Sequence, residues 1–469
     1  MKNFVICHLN KNNLSRNLMK KNTLLLTILL LISTNSFAQF SYYNKLRENE
    51  GLLGGGFGLT WIDGKPHYSI RLFPEIALKN FGIGIDLKLE YDASGKIRTE
   101  NFNEFSDYLS VIRYVRYGYK NDPLYIRFGA IDKGTLGHGS IIYLYNNSPS
   151  YDTRKVGVEF DIDFNTFGLE SIYGNFGQQG VMGIRGYFRP FVMSQTNIPF
   201  ISQMEVGATI VADVDENAGI ISGIYDSQTD QFNADEDEGS VAAFGLDVGI
   251  PLIKSSVLDL DLYMDYVKFF NFGDGLATGF IFDFNGLGLV DLTAKFERRF
   301  NGDQYLPSYF NALYEIERFS LDKSTGEVTS KVQALKNAGD DGNGFYGEIY
   351  ASLLNTFDVL GSYQRLDKNP ESGILHLSSE VAPREMPYVV RAGYDKINIK
   401  DEGDLFKLDD RSHLYAEFGY RANEYLLISM VYHWTFTPVR DAEDDVVDYV
   451  PQKKIEPRIS FIYPIGVGN

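Results

Sequence analysis

Between Phe81 and Tyr91 every second side chain is apolar. Phe81, Ile83, Ile85, Leu87, Leu89 and Tyr91 fall on one face of an extended chain, and Gly82, Gly84, Asp86, Lys88 and Glu90 on the other. The run is eleven residues long, and a tilted strand crossing a bilayer needs about 9–11. A half-buried strand of a soluble sheet alternates too, but is typically about 5–6 residues long. The pattern returns down the chain. Val156, Val158, Phe160, Ile162 and Phe164 alternate with Gly157, Glu159, Asp161 and Asp163; Leu258, Leu260, Leu262, Met264 and Tyr266 alternate with Asp259, Asp261 and Asp265. Leu426, Ile428, Met430, Tyr432 and Trp434 form a later set. These runs predict an all-β chain, an antiparallel up-and-down transmembrane β-barrel.

The connections sharpen that expectation. Lys79-Asn80, Asn121-Asp122, Asn165-Thr166, Ser255-Ser256, Asn285-Gly286, Asn355-Thr356 and Asn423-Glu424 are the residue types of tight hairpin turns. Between them lie longer polar stretches at about 92–106, 131–152, 213–240, 301–343, 399–410 and 437–453. Short turns at one rim and long loops at the other are the habit of outer-membrane barrels, with the short turns periplasmic. Counting on that basis predicts about 20 strands, within 18–22, and an even number puts both termini in the periplasm. Trp61 and Trp434 then end two upward strands, about 54–62 and 425–436, at the outer interface that tryptophan favours.

The N-terminus is expected to be a signal peptide: Lys20-Lys21, an apolar stretch from Leu24 to Ile32, and a small-x-small cleavage site at Ser36-Phe37-Ala38. Cleavage after Ala38 removes residues 1–38, and Met19 is a candidate true start. Residues 39–53 form a short periplasmic lead-in and 54–469 a single barrel domain. The lead-in is too short for a plug domain and carries no TonB-box-like segment, which argues against a TonB-dependent transporter. The only cysteine, Cys7, lies in the removed part, so a mature disulfide is excluded. Loss of five basic residues and no acid takes the net charge from −18 to −23. That balance argues against nucleic acid as a partner. A mean hydropathy of −0.19 is no obstacle to a membrane location, because alternating strands average their apolar half away. The 31 tyrosines and 34 phenylalanines suit interfacial girdles.

Gly129-Ala130-Ile131-Asp132 followed by Gly134-Thr135-Leu136-Gly137-His138-Gly139, with a signal ending Ala38-Gln39, resembles the large porin-like barrels of Bacteroidota-type Gram-negative outer membranes. The resemblance is at the level of class and spans the mature chain. It implies an outer-membrane protein among lipid and lipopolysaccharide. The last strand, from Ile455 to Ile465, departs from the familiar proteobacterial ending because no terminal Phe follows Gly466-Val467-Gly468-Asn469.

Turning the apolar positions outward leaves an inward set. Its acids include Asp86, Glu90, Glu159, Asp161, Asp163, Asp259, Asp261, Asp265, Asp291, Glu297, Glu348, Asp395 and Glu417; its bases include Arg71, Lys88, Arg127, Lys295 and Arg391. A charge on the lipid face costs about 2–4 kcal/mol at mid-depth for Lys or Arg, which enforces the inward choice. Two readings follow: a water-filled passage with a cation-leaning field, or a wall of paired charges that only stiffens the barrel. The stretch from Gly134 to Tyr151 is the candidate constriction. Gly134, Gly137 and Gly139 hinge an apolar run that includes His138, Tyr143 and Tyr145, and exposure of that run would be an aggregation hazard. It folds into the barrel mouth or forms an extra strand pair.

The loop 301–343, with a helical turn at Ser330 to Leu335, is a lid, a docking surface or a self-packed cap. Acid clusters near 213–217, 235–238, 340–341 and 441–445 lack EF-hand spacing. No dedicated metal site and no cofactor are expected, only loosely bound divalent cations at these loops, including bridges to lipopolysaccharide. Of the five mature histidines (His67, His138, His376, His413 and His433), His138 precedes Ser140 in a glycine turn that lacks the Gly-x-Ser-x-Gly order. The leading functional expectation is a porin-like channel for small solutes, not an enzyme. An accessory barrel of an assembly or secretion machine is the second, and a barrel enzyme the third. A homo-oligomer or envelope-machine partners fit any of these.

Overall fold

The computed structural model describes residues 50–466 except 100–107, 110, 121, 151–153, 178, 196–197, 199–200, 287–288, 340–342, 355, 382–385 and 443–445. The expected signal peptide, Met19, most of the lead-in, Tyr151, and the acids at 340–341 and 443–445 lie outside the described residues.

Twenty-two strand segments form one antiparallel sheet that closes on itself, and they resolve into a twenty-strand barrel. Two pairs of segments are single staves. Lys65–Leu72 and Glu75–Leu78 are interrupted at Phe73-Pro74, but both pair with Glu50–Ile62 in unbroken register, Gly55 opposite Leu72 and Glu50 opposite Ala77. Phe81–Ile85 and Leu87–Tyr91 are likewise one stave broken only at Asp86: Gly84 faces Glu75 and Leu87 faces Leu72. The dyad seen in the sequence is therefore one crossing. Glu50–Ile62 meets the final strand, Val446–Gly466, from Glu50 opposite Gly466 to Ile62 opposite Lys454. Closure leaves no free edge, which a backbone in lipid requires. The first strand starts at Glu50, not at the expected 54.

Period-2 burial follows the pattern expected. In Val181–Phe188, Val181, Gly183 and Arg185 point inward while Met182 and Ile184 are exposed. In Leu258–Phe269, Leu262, Met264 and Tyr266 face out and Tyr263, Asp265 and Val267 face in. Phe57, Ile70, Phe296 and Phe418 extend the outer apolar belt around the wall. Rings meet along that belt, Phe280 on Phe296 at 5.9 Å and Phe296 on Phe345 at 5.7 Å. At the short-turn rim Phe81, Tyr117, Phe164, Phe167, Tyr388, Tyr420, Tyr425 and Tyr463 stand exposed, an interfacial girdle. Among the described residues no helix is long and apolar enough to cross a membrane.

The turns at that rim include Lys79-Asn80 and Asn165-Thr166, with Lys79 and Asn165 at positive φ. Asn285 and Gly286 still belong to Asp274–Gly286, so their turn lies just beyond. A chain segment with the short helix Pro190–Met193 replaces one tight turn. At the opposite rim Asp63-Gly64, both at positive φ, make a two-residue hairpin of the Asp-Gly kind.

Two expected loops are largely strand. Within 213–240, Ile220–Asp226 pairs with Gln231–Asp237. Thr437–Arg440 and Val446–Lys453 continue the last two staves well beyond the rim, with Thr437 opposite Val450. These ribbons, with Phe319–Asp322 paired to Glu327–Ser330, pack into an outer platform around Ile220, Phe319, Leu321 and Val447. Beneath it lies the largest apolar core of the molecule. Ile131, Leu136, Ile141, Ile142 and Tyr145 join Tyr305, Tyr309, Phe310, Tyr314, Val332 and Leu335 against wall residues such as Ile172, Val211 and Val267. The long-loop half of the lumen is thus filled by two inward-folded loops.

Candidate functional site

The candidate constriction folds inward as a loop, not as an extra strand pair. Gly134 and Tyr145 bridge antiparallel at 2.8 and 2.9 Å, and Ile142 makes a parallel bridge to Phe310. Gly139 sits at φ +91°, and a Cβ there would meet the Tyr143 ring at 2.2 Å. Glycine is required for the elbow that turns His138 one way and Tyr143 the other.

From that elbow the loop reaches across the lumen. Ser140 Oγ donates to Asp265 Oδ2 at 2.5 Å, and His138 Nδ1 meets Asp265 Oδ1 at 2.8 Å. Lys295 Nζ donates to the His138 carbonyl at 2.5 Å. Tyr143 donates to Glu348, and Tyr145 to Glu315. Ser150 Oγ donates to the Phe436 carbonyl at 2.9 Å. The carboxylate stands between Ser140 and His138, so the hydroxyl does not bond the imidazole as a serine nucleophile needs. Gly134, Gly137, His138, Gly139, Tyr143 and Tyr145 thus converge as one inward elbow.

The inward charges divide into pairs. Arg71 forks onto Asp86 at 2.6 and 2.9 Å, and Arg154 from the loop adds a contact at 2.9 Å. Glu90 holds Lys454 at 2.5 Å with both side chains fully buried. Asp161 holds Lys120 at 2.7 Å, Asp163 holds Arg189 at 2.8 Å, and Arg127 holds Asp132 at 2.9 Å. Glu159 accepts from Tyr125 at 3.2 Å. Arg391 joins Glu417 at 2.8 Å and Glu380 at 3.2 Å. Asp395 lies between His376 at 2.6 Å and His413 at 4.0 Å. Buried pairs of this kind fix a wall more than they create a field.

The short-turn half differs. Asp259 and Asp261 share only the half-exposed Lys254, at 3.4 and 3.0 Å, among the described residues. Asp259 faces Asp283 across the next strand, and Asp358 faces Glu380. Like charges directly opposite are unfavourable unless hydrated or countered by cations. This arc is the acid-rich part of the lumen.

Trp61 ends its strand beside the Asp63-Gly64 hairpin and is partly exposed. Trp434 stands at the same rim, but its Nε1 donates to the Asp409 carbonyl at 2.9 Å under the 400–411 loop. Two networks escaped the sequence reading. Arg185 gathers Asp247, Glu170 and Glu205; continuing the inward register of its strand would have found it. In the outer loop, Arg318 binds Asp213, Asp215 and Glu315, and Lys155 binds Glu315 at 2.5 Å. Burial pushes the Glu315 carboxyl up, yet the adjacent Arg318 and Lys155 hold it down at about 2. Only the i,i+3 spacing of Glu315 and Arg318 hinted at this second network.

No family model matches the chain, and no curated protein does. Among solved structures it aligns with an engineered variant of the Rh. blastica porin at 10% identity, over 88% of this chain and 99% of the porin, with a TM-score of 0.27. It also aligns with a variant of the ferric enterobactin receptor from Pseudomonas aeruginosa, in complex with enterobactin. That match has 8% identity over 89% of this chain and 81% of the receptor, with a TM-score of 0.35. Likeness this distant carries no weight for function, and the barrel architecture rests on its own closed strand pairing.

Proposed function

We propose that this chain is a porin-like barrel of a Gram-negative outer membrane that passes small solutes selectively, with its conductance limited by the inward-folded 131–150 segment. The observation that carries the reading is the elbow at His138 to Tyr143, which reaches Asp265, Lys295 and Glu348 on the barrel wall. A loop anchored at several wall points narrows the lumen. The acid arc at Asp259, Asp261, Asp283 and Asp358 supports a cation-leaning selectivity on the short-turn side. The outer apolar belt and aromatic girdle support the membrane location, with short turns and both chain ends periplasmic. Lipid and lipopolysaccharide are the surrounding partners; no enzymatic role is assigned.

The apolar core shared by the two inward loops favours a second reading, a sealed barrel that serves an envelope machine through its outer platform. Planar-bilayer recording of the purified mature protein separates the two. On the channel reading, the wild type gives small, stable, cation-preferring conductance, and deleting residues 135–144 raises it several-fold. Silence from both proteins would abandon the channel in favour of the sealed barrel.

A further inference from the structure

Asp247 and Asp265 face each other directly on neighbouring strands, both pointing inward. Two carboxylates in that position repel unless a cation lies between or beside them. His138 is carried to them by the inward elbow, so that one of its ring nitrogens and one oxygen of each carboxylate lie within 4.8 Å of one another. Its ring stacks on Tyr263 at 4.3 Å, nearly parallel. Nδ1 is on Asp265, and Nε2 has no hydrogen-bond partner among the described residues.

Two glycines make the recess. A Cβ on Gly249 would lie 3.4 Å from His138 Nε2, and a Cβ on Gly207 would lie 2.4 Å from Asp247 Oδ2 and 2.7 Å from Arg185 Nη2. Side chains at these two wall positions would crowd the imidazole and the carboxylate.

Charge is out of balance around this recess. Arg185 alone contacts Asp247, Glu170 and Glu205, with Arg189 sharing Glu205. Asp265 has only His138 and Ser140 among the described residues. We propose that His138, Asp247 and Asp265 form a site for a divalent transition metal of the zinc type, which fastens the inward loop to the wall. An imidazole with two carboxylates is a donor set that such ions accept at about 2.0–2.2 Å. Tetrahedral ligand atoms at those distances stand about 3.3–3.6 Å apart, so the three donors, now within 4.8 Å of one another, must adjust their separations to take up the ion. Arg185, forked on Asp247 at 2.6 and 2.9 Å, orients the carboxylate as an outer partner does in metal centres. The sequence analysis expected metal only at exposed acid loops; this site lies inside the lumen and joins residues far apart in the chain.

The test is binding, so it is independent of whether the barrel conducts. The full mature protein in detergent is stripped with chelator and titrated with Zn²⁺ by calorimetry and with Co²⁺ by visible absorption. Expected are one equivalent bound at micromolar affinity or tighter, d–d bands from the cobalt form, and at least tenfold weaker binding by His138→Ala and by Asp265→Asn. Heat-modifiable migration on gels checks that the variants are folded. In the wild type itself, Zn²⁺ should protect His138 from diethyl pyrocarbonate, read by mass spectrometry. Absence of stoichiometric binding, or His138→Ala binding as tightly as wild type with His138 unprotected, overturns the proposal.

Discussion

Glu315 is a single carboxylate on which much of the outer cap turns. It accepts from Tyr145 of the inward loop, pairs with Lys155 at the root of that loop, and holds Arg318 at the C-terminal end of its own short helix, Tyr314–Glu317. Its acidity is held at about 2, below the ordinary 4.5 of a glutamate, against the opposing effect of burial. A folded-state value below the unfolded one stabilises fully above about 4.5 and is lost as pH falls through 2. Proteolysis of the cap should therefore stay flat from pH 7 down to about pH 5 and rise progressively as pH falls toward 2. Glu315→Gln should show at neutral pH the accessibility that wild type shows only in acid, because it strands Lys155 at a cost of about 3 kcal/mol. The inward acids such as Asp86, Glu90 and Asp161 were legible because a period of exactly two residues assigns every side chain to a face. Their partners were not. His138 and Asp265 are 127 positions apart, and no local pattern encodes a contact made by closing a barrel.

Strands and loops differ in how plainly they announce themselves. The stave Phe81 to Tyr91 was visible because one face meets lipid and the other the lumen. Gln231–Asp237 was hidden because almost all of its side chains are exposed, on both faces, so nothing enforces alternation. The last hairpin was hidden for a related reason: above the rim its outward face is covered by protein. Phe436 sits there, fully buried with Leu313 and Ile397. Phe436→Ala should cost about 3–5 kcal/mol, seen as faster hydrogen exchange in 146–150 and 313–316 with the membrane staves unchanged. The acid arc makes an element-scale prediction of its own. Replacing Asp259 and Asp261 with Asn on their shared strand should shift the reversal potential in a salt gradient toward anions. Unchanged selectivity would remove the arc from the conducting path.

At the scale of the whole molecule, the strand number and the two unequal rims followed from counting turns, whereas the filled outer half was foreseen only in part: the 134–151 stretch was expected to fold into the barrel mouth, but not the packing of 305–335 against it. Sequence patterning reports which face a residue takes, not how far a loop travels after leaving the wall. Closure between Glu50–Ile62 and Val446–Gly466 makes the barrel all-or-none. Truncation after Lys454 should abolish the heat-modifiable band outright, because it exposes the edges of both neighbours. The same closure also sets an order in time. The two segments that complete the wall are the first and the last of the described strands in chain order. Until those two meet, the sheet keeps two open edges. Their pairing spans nearly the whole described sequence, the kind of non-local contact whose loop-closure entropy must be met before it rewards folding.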